Sequence, residues 1–164
     1  MLWTILIACA LFISILESTI FSQIGFLGIR PNFFLIFAVL SALNLDPPEA
    51  SISACIMGLC KDVLSEEPLG LNASFFTGIA IIIGVWRHKI YANSISAQLL
   101  VVLIASIVYR GGSALVVWLS YGNLAALPTL LNIFVGSTYT AVLAAGPYFL
   151  FKTFRPVRLR QDIP

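Results

Sequence analysis

Residues 58–72 read Gly-Leu-Cys-Lys-Asp-Val-Leu-Ser-Glu-Glu-Pro-Leu-Gly-Leu-Asn, a polar, turn-forming island between apolar segments. Outside it the chain is mostly apolar. Hydrophobic residues make up 60% of the 164 positions and charged residues only 10%. Soluble domains carry about 25% charged residues. A water-soluble core of this size cannot hide so much apolar surface, so lipid is the solvent for most of the chain.

Working outward from the island, the apolar segments divide into spans. The third span covers about 50–64 and ends in Lys61 and Asp62; the fourth covers about 69–86. Upstream, a first span runs from about Leu2 to Phe21, uncharged except for Glu17, followed by a link over 22–30. The segment lacks a basic leader region and reads as a span, not a signal peptide. The second span, about Pro31 to Leu45, covers roughly 22 Å, short for a membrane. Asp46-Pro47-Pro48-Glu49 is expected to stop it, because proline removes donors and restricts its neighbours. Downstream, a fifth span over about 97–120 is expected to be interrupted at Arg110-Gly111-Gly112. Tyr121-Gly122-Asn123 and Pro128 mark a loop, and a sixth span runs over about 131–151.

The expected fold is all-α: a polytopic membrane protein of about six short transmembrane helices in one compact bundle over 1–152, with a short basic tail over 153–164. Arg87, His88 and Lys89 form one basic cluster; Lys152, Arg155, Arg158 and Arg160 form another. Two spans separate them, so they share a side, and positive residues favour the cytoplasm. Both termini are therefore expected inside. Trp3 and Trp86 then fall near the inner interface, and Trp118 and Tyr121 near the outer one, as aromatic belts do. Basic residues at the ends of apolar spans argue against nucleic-acid binding.

Glu17, Lys61, Asp62 and Arg110 form a candidate intramembrane charge cluster. Measured from the starts of parallel spans, their depths agree at roughly 17–22 Å. Charges in a bilayer are costly and face partners or a cavity. An ion-pair cluster tying three helices together and a polar ligand pathway both fit. The sixth span carries small residues at helical spacing, Gly136, Thr140 and Ala144, beside Ser137, Ala141 and Ala145. Such faces allow close helix approach, within the chain or toward another protein's helix. Cys9, Cys55 and Cys60 lie in apolar segments and read as small apolar fillers. With His88 the only histidine, metal-ligand spacing is missing, and no Ser-His-Asp or Cys-His set arises at membrane depth. The glycines around Gly70 lack the Gly-Lys-Ser/Thr ending of a phosphate loop. An enzyme, a cofactor and a small-molecule substrate are not expected.

The Pro31-Asn32 start to the second span, Gly58-Leu59-x-x-Asp62-x-Leu64 and Pro68-Leu69-Gly70-Leu71-Asn72-Ala73 resemble the bacterial rod shape-determining MreD family, as does Glu17-Ser18-Thr19. The resemblance covers the first half of the chain; the second half agrees in hydropathy and length. It implies a non-enzymatic inner-membrane subunit of the cell-elongation machinery, organising sidewall peptidoglycan synthesis. The partners it implies are MreC, MreB and RodA with its transpeptidase. Gly58, Leu59, Asp62, Pro68, Leu69, Gly70 and Asn72 become the candidate partner-binding or structural motif. A different class also fits the size and span number, the vitamin-binding membrane subunit of an uptake transporter. It would require an outward cavity lined by polar and aromatic side chains.

Overall fold

The computed structural model describes residues 31–65, 69–86, 95–122 and 126–146. Among these residues the chain is entirely helical. The helices are α1 (Phe33–Asn44), α2 (Pro47–Leu64), α3 (Leu71–Trp86), α4 (Ile95–Tyr121) and α5 (Ala126–Leu143). The expected first span and the basic tail lie outside the described residues.

The fold is organised around α1. This helix is only 12 residues long, about 18 Å, and packs against all four of the others. Phe34, Leu35, Ile36, Ala38, Val39, Leu40 and Ala42 are all buried. A helix apolar on every side belongs in the centre of a fold. Its start is fixed by Asn32, whose side-chain oxygen accepts from the Leu35 amide at 3.1 Å. Ser41 on α1 and Ser53 on α2 meet at 3.2 Å where the two helices cross.

Around α1, α2 packs on α3 and α4 packs on α5. The α4 residues Gln98, Val102, Ala105, Ser106 and Tyr109 are buried, a stripe at helical spacing that faces the core. Beyond Tyr109 no described residue of α4 is buried. Large apolar side chains instead cover the outside of the fold, among them Ile82 on α3, Val85 on α3 and Leu119 on α4. Water would penalise such a surface; hydrocarbon does not. The stretch Ile95–Ser120 is long and apolar enough to cross a membrane, whereas Phe33–Asn44, Leu71–Trp86 and Leu127–Leu143 are shorter apolar helices.

Several expected boundaries are corrected. Pro47 and Pro48 end α1 but also begin α2, at its first two positions, where a helix has no use for the missing N–H. Arg110-Gly111-Gly112 does not interrupt the fifth span; α4 runs through it unbroken. Pro128 lies in the first turn of α5 and not in a loop, for the same reason as Pro47. The sixth span accordingly starts at Ala126, five residues before its expected start at Leu131.

Candidate functional site

The island closes on itself through one carboxylate. Asp62, in the last turn of α2, is 2% exposed. Its Oδ1 accepts from the Asn72 amide at 2.9 Å, and its Oδ2 accepts from Gly70 at 2.9 Å and Ala73 at 3.2 Å. A helix start leaves its first amides without intrahelical partners. Here the cap comes from the preceding helix, across the turn. A carboxylate also suits the partial positive charge of a helix N-terminus. Gly70 sits at φ +94°, a left-handed conformation that glycine adopts without strain and that turns the chain into α3.

Gly58 lies one turn before Asp62 on α2. A Cβ there would stand 2.4 Å from Ala73 Cα and 2.6 Å from Ala73 N. Two backbones are therefore in direct contact, and only a glycine permits it. Asn72, fully buried, donates from its side-chain amide to Ser65 Oγ at 3.4 Å and accepts from the Tyr109 hydroxyl through its oxygen at 2.5 Å. The Tyr109 ring packs edge-on against Phe75, with centroids 6.1 Å apart, and tilted against Phe76 at 5.3 Å. The α2–α3 turn is thereby tied to α4.

A second polar contact joins α4 to α5. The Arg110 guanidinium donates to Asn132 Oδ1 and lies across Gly136, where a Cβ would fall 2.5 Å from Arg110 Cζ. One turn farther along α5, Thr140 Oγ1 donates to the Gly136 carbonyl at 2.7 Å and accepts from the Asn32 amide at 3.4 Å. Gly136, Thr140 and Ala144 are buried inside the chain's own fold, so this face is not open to another protein's helix.

Of the residues picked out by sequence, Gly58, Asp62, Gly70 and Asn72 thus meet at one end of the α2–α3 pair. Leu59 and Leu69 stand exposed at its rim. Asp62 is held by backbone amides of α3, and Arg110 by Asn132 of α5. Lys61 is half-buried at the end of α2. Glu17 and Pro68 lie outside the described residues. Tyr109 and Asn132 were not singled out by sequence, although a tyrosine beside Arg110 and an asparagine within an apolar helix are both polar groups at membrane depth.

No curated protein and no solved structure matches the chain. The family model for rod shape-determining protein MreD matches residues 1–150. That range takes in all five described helices and the island, and extends well past the first half, where the residue resemblance lies. It lends no support to the vitamin-transporter reading. A polar-capped helical fold with an apolar exterior and a family match over nearly its full length lead to one conclusion: this chain belongs to the MreD family of rod shape-determining membrane proteins.

Proposed function

We propose that this protein is a non-enzymatic subunit of the bacterial elongation machinery in the inner membrane. It maintains rod shape by binding MreC and organising sidewall peptidoglycan synthesis, with MreB and RodA and its transpeptidase as further partners. The observation that carries this reading is the family match across residues 1–150. In this reading residues 1–152 form a bundle of about six spans and 153–164 a basic cytoplasmic tail, with both termini inside. The two basic clusters support that orientation.

The island supplies the partner edge. Gly58, Asp62, Gly70 and Asn72 shape it from within, while Leu59, Val63 and Leu69 offer exposed apolar side chains at its rim. The test is recovery of MreC with the tagged chain from detergent, together with cell width in a depleted, rod-shaped host. The intact chain should retain MreC and restore width. Leu59→Ala/Leu69→Ala should keep its membrane level, recover several-fold less MreC and leave cells wide. If the intact chain does not retain MreC, the reading fails. If the intact chain retains MreC and the double variant does so equally, the edge lies elsewhere.

A further inference from the structure

The start of α1 is surrounded by more polar groups than its cap uses. Asn32 is 2% exposed, and Ser106, Ser137 and Thr140 are fully buried. Thr140 is satisfied on both sides, by the Asn32 amide and the Gly136 carbonyl. The Asn32 Nδ2, Ser106 Oγ and Ser137 Oγ atoms have no hydrogen-bond partner among the described residues. Serine and threonine in a helix have a ready local solution, donation to a carbonyl three or four residues back. Ser74, Thr77 and Thr138 all take it. Ser106 and Ser137 do not, so their hydroxyls are left for something other than their own helices.

Helix register brings the three residues to one level of the fold. Helices α4 and α5 run antiparallel, with Arg110 lying over Gly136. One turn back on α4 and one turn forward on α5, Ser106 comes level with Thr140, and Ser137 lies between Gly136 and Thr140. Thr140 in turn touches Asn32. A polar group left unmade in a buried site is destabilising. A buried water commonly makes about three hydrogen bonds to such groups. The side chains here offer an amide donor and two hydroxyls that donate or accept, beside the positive end of α1.

We propose that a resident water molecule, held by Asn32, Ser106 and Ser137, joins the start of α1 to α4 and α5. The sign of a hydroxyl deletion tests it in the full chain in lipid nanodiscs. If water bridges the groups, Ser106→Ala and Ser137→Ala each lower Tm by about 2–4 °C. The double variant loses less than the sum, because both changes release the same water. Asn32→Ser, which keeps a capping oxygen and removes the amide, should behave like the serine variants. Deleting idle hydroxyls would instead leave Tm unchanged or raise it, and that result overturns the proposal, as does a strictly additive double. A density map of the unaltered protein decides independently of folding yield. A water-sized peak about 3 Å from Ser106 and Ser137 Oγ is expected; no peak, or density of a larger ion, refutes it.

Discussion

The two outer helix pairs solve the same problem differently. The α2–α3 pair is held backbone to backbone, with Gly58 against Ala73 and the Asp62 carboxylate on three amides at and before the start of α3. The α4–α5 pair is held through side chains, with Arg110 spread over Gly136 and reaching Asn132. At its turn, α2–α3 closes over the buried polar groups Asp62 and Asn72 and leaves Leu59, Val63 and Leu69 exposed at the rim. At the corresponding end, α4–α5 exposes Trp118, Leu119, Leu127, Leu130 and Phe134. In lipid, apolar contact alone gives helices little reason to prefer each other over hydrocarbon. A pair whose geometry is fixed by backbone contact and charge has one arrangement. A pair fixed by a long flexible side chain can slide. The contrast assigns rigidity to the island and tolerance to the α4–α5 end.

Substitutions can break or sharpen this contrast. The largest effect is expected for Asp62→Ala. It strips the acceptor from three amides, at about 1–3 kcal/mol for each buried group left unmade. Folded yield in detergent should collapse, whereas Asp62→Asn, keeping one acceptor oxygen, should fall between. If Asp62→Ala purifies with unchanged thermal stability, the carboxylate is not what fixes the turn. Next comes Gly58→Ala. Its methyl meets backbone atoms that cannot step aside, and overpacking of this kind costs about 1–3 kcal/mol. Thermal unfolding of the purified chain measures it.

Gly136→Ala provides the internal control. Its methyl also meets an atom at 2.5 Å, but that atom belongs to the Arg110 side chain, which can rotate away. A loss of about 1 kcal/mol or less is expected. Should Gly136→Ala destabilise more than Gly58→Ala, the distinction between the pairs is wrong. The smallest effect has the opposite sign. A Cβ at Gly111 would meet nothing within 4 Å, and the residue lies inside α4. Gly111→Ala should raise stability by about 0.5–1 kcal/mol, because alanine loses less backbone freedom on folding. The same thermal unfolding measurement reads both glycine variants.

Much of this was legible in the residues. Gly58, Asp62, Gly70 and Asn72 stand out as polar or turn-forming groups in an apolar chain, and they converge at one end of α2 and α3. Their roles were harder to read. A carboxylate that caps a helix across a turn, from the end of the helix before it, leaves no short-range sequence signature such as a capping box. Proline misled for a physical reason. Pro47 and Pro128 announce an end to the segment before them, yet the same missing N–H suits the first turn of the next helix. Arg110-Gly111-Gly112 looked like a break because glycine and charge both weaken a helix in an apolar setting. In α4 the arginine has Asn132 and Gly136 to lie against, and the ladder continues. The burial of α1 was invisible for another reason: a helix surrounded by protein and one surrounded by lipid need the same apolar residues.

The central position of α1 bears on how the protein is made. A helix of about 18 Å is too short to cross the roughly 30 Å hydrocarbon layer on its own. The Asn32 amide at its start bonds to Thr140, 108 residues later. When residues 33–44 leave the ribosome, the walls of their final site have not been synthesised. Helices α2 and α3 supply most of those walls, and α4 and α5 complete them. Late helices thus complete the enclosure of an early one, and a chain truncated before α5 should lack the Thr140 partner of Asn32.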